Sequence, residues 1–121
     1  MIMTTEAPEV PEIDAQTVSS WMSEGSVLLV DVRETSEYEF EHVPGALLHP
    51  LSFLDTDTFP VITEKKVVLM CRSGKRSLAA AKQLTKAGYP AVLNLTGGLK
   101  AWGEAGLDTE GARFETEDFS I

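Results

Sequence analysis

The sequence contains a single cysteine, Cys71, among its 121 residues. A disulfide within the chain is therefore excluded, and so is disulfide exchange of the thioredoxin type, which needs a second thiol. Long hydrophobic runs are also missing. The apolar runs at residues 27–30 and 67–71 reach at most five residues, far below the roughly 20 needed to cross a bilayer. The sequence thus predicts no contact with a membrane.

Charged residues of one sign are missing from two parts of the chain. Residues 1–14 hold four acids and no lysine or arginine, unlike a secretory signal, so we expect a cytoplasmic protein. Residues 65–103 hold eight of the ten basic residues and no acid, although the net charge of the whole chain is -9. Such a distribution does not suit nucleic acid, but the basic third can attract a small anion.

The length and composition indicate one globular domain. Domains average about 150 residues, and 43% hydrophobic with 24% charged residues lies in the globular range. We expect a flexible acidic arm at residues 1–9 and a folded domain at 10–107. Residues 108–121 contain five acids and little periodicity, which predicts an acidic tail that is weakly docked or disordered.

Strand and helix patterns alternate along this domain. Buried strands are predicted at residues 27–30, 67–70 and 92–95, with shorter ones at 46–48 and near residue 12. Asp14 is predicted to cap a helix that runs to about residue 23 and stops at Gly25. Further helices are predicted around Tyr38, after a cap at Ser52, at 77–87 before Gly88, and around Trp102. This alternation predicts an α/β fold with a central, mostly parallel sheet of about five strands and helices on both faces.

The most informative segment is Cys71-Arg72-Ser73-Gly74-Lys75-Arg76-Ser77. It joins the end of a buried strand to a helix, at the edge where open α/β sheets bind ligands. Gly74 allows backbone N–H groups to turn toward the thiol, and the helix adds its positive end. With Arg72 and Arg76 nearby, we expect the pKa of the Cys71 thiol to fall below about 8.5, which makes Cys71 a candidate nucleophile.

Two other interpretations of this loop fail on spacing. A phosphate-binding P-loop needs a glycine where Leu69 stands and a serine or threonine where Arg76 stands. A metal site would have to combine Cys71 with His42 and His49, which lack the paired spacing of metal ligands. We therefore predict no nucleotide hydrolysis, no metal and no other cofactor.

Four motifs together resemble those of the single-domain rhodaneses, a sulfurtransferase family. They are Asp31-Val32-Arg33, His42-Val43-Pro44-Gly45-Ala46, the loop 71–76 followed by Ser77, and Gly97-Gly98 with Trp102. The resemblance covers residues 10–107, close to the whole chain. It implies a single rhodanese-like domain.

The resemblance implies a reaction through a persulfide on Cys71. The thiolate attacks the outer sulfur of thiosulfate or a similar anionic donor, and cyanide or a thiol then removes that sulfur. The outer sulfur would be held by the backbone amides of Ser73, Gly74, Lys75, Arg76 and Ser77. Arg72 and Lys75 would attract the donor, whereas Arg76 points either at the substrate or into an ion pair.

Residues outside the loop are expected to support it. Asp31 and Arg33 would hold the strand end and a neighbouring loop by hydrogen bonds or an ion pair. The pair Gly97-Gly98 would allow a close approach to the active loop, and Trp102 is expected in the core or at a pocket rim. A base such as His42 is not required, because the cycle starts from a preformed thiolate.

Two other functions share parts of this pattern. A persulfide carrier in a sulfur relay would need the same loop and a protein partner. Cysteine phosphatases similar to this family use Cys-x5-Arg, whereas Cys71 and Arg76 are spaced as Cys-x4-Arg, which suits one sulfur atom better than a tetrahedral phosphate or arsenate. We therefore predict a small anionic sulfur donor and a thiol acceptor as partners, with a sulfur-relay protein as the alternative.

Overall fold

The computed structural model describes residues 9–115, which form an α/β domain around one five-stranded sheet. The strands are β1 (Glu12–Ile13), β2 (Val27–Asp31), β3 (Leu47–Leu48), β4 (Lys66–Met70) and β5 (Leu93–Leu95). Their order across the sheet is β1-β5-β4-β2-β3, and every neighbouring pair is parallel. The predicted fold class is confirmed, and the sheet is parallel throughout.

Four α-helices and two short 3-10 turns lie among the described residues. The helices are α1 (Ala15–Glu24), α2 (Thr35–Phe40), α3 (Lys75–Lys86) and α4 (Gly98–Glu104), and the 3-10 turns are Leu51–Phe53 and Ala112–Phe114. The ends of α1 are as predicted. The Asp14 carboxylate accepts a hydrogen bond from the Thr17 amide at 2.8 Å, and Gly25 ends the helix in the left-handed conformation.

The two faces of the sheet bury separate clusters of apolar side chains. Along β4, Val67 and Leu69 pack on the side of α3, whereas Val68 and Met70 pack on the side of α1 and α4. Successive residues of a strand point to opposite faces, so a strand covered on both sides must be apolar throughout. Each such buried side chain stabilises the fold by about 1.5–3 kcal/mol. Because β4 is central, its carboxyl end is held firmly in place.

The predicted helix capped by Ser52 is wrong. The chain forms only the 3-10 turn Leu51–Phe53 there, and the Ser52 hydroxyl donates to the Glu34 carboxylate at 3.1 Å. The Asp55 carboxylate accepts from the Asp57 amide at 2.9 Å, which closes a local turn. Such turns compete with helix formation because they use the same backbone groups.

Other boundaries differ by one or two residues. Helix α3 begins at Lys75 rather than at residue 77, because Gly74 adopts φ +98° and ends the loop at once. Ala87 rather than Gly88 is the C-terminal cap of α3. The short strand predicted near residue 12 is confirmed as β1, whereas residues 1–8 of the predicted arm lie outside the described residues. Within residues 9–115, every helix is too short or too polar to span a bilayer.

Residues 108–115 of the predicted tail contact the rest of the domain. The Trp102 indole N–H donates to the Asp108 carbonyl at 2.8 Å. The backbones of His42 and Glu110 exchange two hydrogen bonds of 2.8 and 2.9 Å in an antiparallel bridge. This part of the segment therefore lies against α2 and α4, and residues 116–121 lie outside the described residues.

Candidate active site

Cys71 follows β4 directly, at the carboxyl end of the central strand. Its side chain lies at the floor of the loop and is 1% exposed. The neighbouring residues Arg72, Ser73 and Lys75 are exposed. The site is thus a buried sulfur atom with polar and basic residues around it, at the sheet edge where ligands bind in this class of fold.

Three hydrogen-bond donors point at the Cys71 sulfur. The backbone N–H groups of Gly74 and Ser77 lie 3.1 and 3.4 Å from Sγ, and the Ser77 hydroxyl lies 3.4 Å from it. The left-handed conformation of Gly74 makes this arrangement possible. A loop that turns successive amides inward forms a site for negative charge. The arrangement favours a thiolate at Cys71.

The pKa of the Cys71 thiol is set by two opposing effects. Burial has the largest single effect and raises the pKa. Hydrogen bonds from the Ser77 hydroxyl and from the amides of Ser77, Gly74 and Ser73 lower it, and together they leave the pKa below its ordinary value of 9.0. The predicted direction is confirmed, and the inward amides expected from the sequence are among its causes, together with the Ser77 hydroxyl, which was not expected.

Asn94 is a buried part of the site that the sequence analysis missed. It is 2% exposed, and its Oδ1 atom accepts a hydrogen bond of 2.6 Å from the Ser77 hydroxyl. Its Nδ2 atom donates to the Gly74 carbonyl and to the Glu12 carboxylate, both at 3.1 Å. Asn94 thereby fixes both residues that donate to the Cys71 sulfur. The available signal was an amide between two leucines in the predicted strand β5.

Arg76 forms an ion pair with Glu37, a partner that the sequence did not indicate. Its two terminal nitrogens each donate to one Glu37 oxygen at 2.9 Å. These hydrogen bonds from Arg76 hold the pKa of Glu37 at about 2. Of the two predicted orientations of Arg76, the structure has the ion pair. The contact attaches the start of α3 to α2.

Asp31 and Arg33 form a buried ion pair, as expected. The Arg33 Nη2 atom lies 2.8 Å from Asp31 Oδ2, and the two side chains are 3% and 0% exposed. Arg33 also donates to the Glu41 carbonyl at 2.7 Å, at the end of α2. The pair thus joins the end of β2 to α2, which carries the Glu37 partner of Arg76.

The glycine pair Gly97-Gly98 brings α4 against the active loop. The amides of Leu99 and Lys100 donate to the carbonyls of Cys71 and Arg72 at 2.9 and 3.1 Å. A Cβ atom on Gly98 would lie 2.7 Å from the carbonyl oxygen of Arg72. The expected close approach is confirmed, and Trp102 lies in the core at 4% exposure.

Arg72 and Lys75 are the exposed cations of the loop. Within residues 9–115, neither has a carboxylate within 4.0 Å. Arg72 lines a cleft of about 380 Å³ in which Arg113 is paired with Glu41 and Lys100 with Glu104. His42 is engaged elsewhere, because its ring nitrogens contact the Tyr38 carbonyl and the Glu110 carboxylate.

The model of the rhodanese-like domain family matches residues 14–105, which include every strand after β1 and all four helices. The chain belongs to the rhodanese-like domain family. The resemblance inferred from the four sequence motifs is thereby confirmed. The loop 71–77 and its supporting residues Asp31, Arg33, Glu37 and Asn94 all lie inside the matched region.

Three relatives are similar to this rhodanese-like domain over about four fifths of the chain. A sulfurtransferase of Allochromatium vinosum is 38% identical over 81% of the chain and 92% of its own length. An uncharacterized protein of Synechocystis is 41% identical over 80% of the chain, and a putative sulfur carrier protein of Bacillus subtilis is 32% identical over 79%. The chain spans 54% and 52% of the length of these last two proteins. Family and names together support sulfur transfer or sulfur carriage in general.

Solved structures of rhodanese-like domains resemble the fold closely. The domain from an Anabaena protein has a TM-score of 0.74 and 26% identity, with 92% of this chain and 90% of that chain covered. A thiosulfate sulfurtransferase of Pseudomonas aeruginosa has a TM-score of 0.73 and 28% identity. That alignment covers 90% of this chain but only 21% of the Pseudomonas chain.

Proposed function

We propose that the protein is a sulfurtransferase that carries sulfur as a persulfide on Cys71. Its donor is thiosulfate or a related anion, and its acceptor is a thiol, with cyanide as the assay acceptor. The observation that carries this proposal is the set of Gly74 and Ser77 hydrogen bonds to the sulfur of the sole cysteine. A cytoplasmic location, where thiols remain reduced, suits a reaction that needs free Cys71.

The reaction consists of two displacements at sulfur. In the first, the Cys71 thiolate attacks the outer sulfur of thiosulfate, the sulfur–sulfur bond of the donor breaks, and sulfite leaves with its electron pair. In the second, the acceptor attacks the outer sulfur of the persulfide, and Cys71 leaves as a thiolate. No oxidant or metal is consumed. Splitting one transfer into two displacements is covalent catalysis.

The loop can hold the outer sulfur of the persulfide anion. The first amides of α3, at Lys75 and Arg76, belong to the first turn of the helix, where N–H groups have no partner within the helix. Amides of this kind stabilise negative charge at a fixed position without reorganising. The side chain of Arg76 is held by Glu37, so we assign only its backbone to the sulfur.

Steady-state kinetics test this proposal. We expect thiosulfate and cyanide to give ping-pong kinetics, and Cys71→Ala to abolish turnover while the circular dichroism spectrum stays unchanged. Intersecting rather than parallel reciprocal plots, or turnover by Cys71→Ala, would contradict the persulfide cycle.

The two exposed cations of the loop are proposed to bind the donor anion. We expect Arg72→Ala and Lys75→Ala to raise the KM for thiosulfate and to weaken its dependence on salt, with a smaller effect on kcat. Lys65→Ala removes an exposed charge far from the loop, before β4, and serves as the matched control. Equal effects of all three substitutions would exclude a specific role for Arg72 and Lys75.

The two alternative functions predict other results. A persulfide carrier would retain the sulfur and turn over slowly with cyanide. A phosphatase or arsenate reductase similar to the Cys-x5-Arg enzymes would need the arginine that ends the loop to contact the anion, whereas both terminal nitrogens of Arg76 are engaged by Glu37. Hydrolysis of an aryl phosphate that depends on Cys71 would support the phosphatase alternative.

A further inference from the structure

Helix α3 presents three lysines in one exposed row that starts at the active loop. Lys75, Lys82 and Lys86, here called the α3 lysine row, are exposed, as is Ala79 between the first two. Spacings of seven and four residues place all three on one face of the helix. The helix has 12 residues, so the row extends about 18 Å from the loop.

The fold makes no visible use of these three charges. In the part of the chain from residue 9 to 115, no carboxylate lies within 4.0 Å of any of the three ammonium groups. The buried face of α3 instead carries Ser77, Ala80, Ala81 and Leu84. The charges of the row are therefore available to a partner.

The position of the row constrains what reaches the persulfide. Cys71 is 1% exposed, and its sulfur is ringed by the loop that ends at Lys75. An acceptor cysteine on a protein must therefore come to the mouth of this loop. The surface around that cysteine then lies over the first turns of α3.

We propose that the α3 lysine row is the docking surface for an acidic protein segment that carries the acceptor thiol. This inference rests on the proposed persulfide at Cys71. The partner thiolate attacks the outer sulfur, the bond between the two persulfide sulfurs breaks, and Cys71 leaves as a thiolate. The partner cysteine becomes the persulfide, and its proton has gone to solvent beforehand. Complementary charge raises the rate of encounter and orients the partner.

Charge distribution favours a protein segment over an extended polyanion. All nineteen acids of the chain lie outside residues 65–103, together with only two of the ten basic residues. At the loop end of the row, a nucleic acid or an anionic membrane longer than the row would meet acids such as Glu37, which is paired with Arg76 at the start of α3. A short acidic segment fits within the length of the row and avoids them.

Peptide acceptors test the docking surface. Three peptides of equal length carry one cysteine flanked by Asp and Glu, by Gly and Ser, or by Lys. We expect the acidic peptide to have the highest kcat/KM at low salt and to lose this advantage at high salt. Lys82→Glu with Lys86→Glu should lower that kcat/KM by roughly 10-fold, within the range of electrostatic steering.

The control variant carries the same change in net charge outside α3, at two lysines that are not part of the α3 lysine row. Lys65 and Lys66 are exposed at the start of β4, so Lys65→Glu with Lys66→Glu should leave the preference for the acidic peptide unchanged. An equal loss in both variants, or no preference among the three peptides, would overturn the proposal. Thiosulfate:cyanide turnover, measured in each variant, shows separately whether the proposed sulfurtransferase activity itself fails.

Direct binding gives a readout that does not depend on turnover. A fluorescent acidic peptide with serine in place of cysteine should bind the wild type and the β4 control variant, and bind the α3 variant more weakly. Binding of a single-stranded oligonucleotide or of phosphatidylserine vesicles in place of the acidic peptide would overturn the proposal in favour of that partner class.

Discussion

At the residue scale, one hydroxyl proton is shared between two acceptors. The Ser77 oxygen lies 2.6 Å from Asn94 Oδ1 and 3.4 Å from Cys71 Sγ, and a hydroxyl group donates one hydrogen bond at a time. Asn94 cannot turn its amide over without placing Oδ1 against two acceptors, the Gly74 carbonyl and the Glu12 carboxylate. Donation to the sulfur is therefore strongest when the sulfur carries the negative charge.

Removing this hydroxyl should make the thiol less acidic. We expect Ser77→Ala to raise the pKa of Cys71 toward its ordinary value of 9.0, because the Ser77 hydroxyl is the strongest of the groups that lower it. The ultraviolet absorbance of the thiolate, followed against pH, measures the change, with Cys71→Ala as the blank. Ser73→Ala keeps its backbone amide and is the matched control. An unchanged midpoint in Ser77→Ala would contradict the assigned role of the hydroxyl.

The sequence predicted the residues of the loop and some of its supports, Asp31, Arg33 and Gly97-Gly98, but not Asn94 or Glu37. Cys71, Gly74 and Ser77 are neighbours in the chain, and their order alone suggests inward amides. Asn94 lies 17 residues from its partner Ser77, and Glu37 lies 39 residues from Arg76. Such pairings depend on how the strands are ordered in the sheet, which a local pattern does not contain.

At the element scale, the site depends on how closely α4 approaches the loop. Gly98 adopts φ +57°, and a Cβ atom there would overlap the backbone of Cys71 and Arg72. The amides of Leu99 and Lys100 need this closeness to reach the loop carbonyls. The start of α4 thus fixes the outer side of the loop, while α3 supplies the inner amides.

Two glycine substitutions in α4 should have opposite effects. We expect Gly98→Ala to destabilise the fold by about 2–4 kcal/mol, because it combines a steric clash with an unfavourable φ. Gly103→Ala meets nothing within 4 Å and should stabilise the helix by about 0.5–1 kcal/mol. Denaturant unfolding of both variants measures the difference. A Gly98→Ala variant as stable as the wild type would contradict the described junction.

Elements with strong local signals were predicted well from the sequence. Strands β2 and β4 are apolar runs, and α1 has both a capping aspartate and a terminal glycine. The helix predicted after Ser52 is absent because the Asp55 carboxylate accepts a hydrogen bond that closes a turn there. A serine that suits a helix cap does not indicate this turn. The helix and the turn compete for the same backbone groups, and the turn formed.

At the scale of the whole molecule, the Glu37–Arg76 pair joins α2 to α3. The pKa of Glu37 is about 2 in the folded protein against an ordinary 4.5. A lowered folded pKa means that the pair stabilises the fold fully above pH 4.5 and less as the pH falls toward 2. Acid should therefore loosen the contact between the two helices.

Glu37→Gln tests this dependence on pH. We expect the free energy of unfolding of the variant to lie below that of the wild type at neutral pH, with the difference shrinking between pH 4.5 and about 2. Glu104→Gln breaks an exposed pair on α4, where both side chains are more than half exposed, and should change stability little. A difference that stays constant down to pH 2 would show that Glu37 does not act through its charge.

At the scale of the whole molecule, charge is also separated between the basic residues 65–103 and the acidic remainder of the chain. Arg72 and Lys75 of the basic part lie beside the sulfur, where they would attract the proposed anionic donor, and Lys82 and Lys86 continue the positive charge along α3. This distribution was evident in the sequence. The alignment of Lys75 with Lys82 and Lys86 on one face followed only from the start of α3 at Lys75 in the structure.

The most direct test of the account is the intact mass of the protein after treatment with thiosulfate. We predict a gain of one sulfur atom on the wild type, its removal by cyanide, and no gain on Cys71→Ala. A wild-type protein that gains no sulfur, or a Cys71→Ala variant that gains one, would contradict a persulfide at this cysteine.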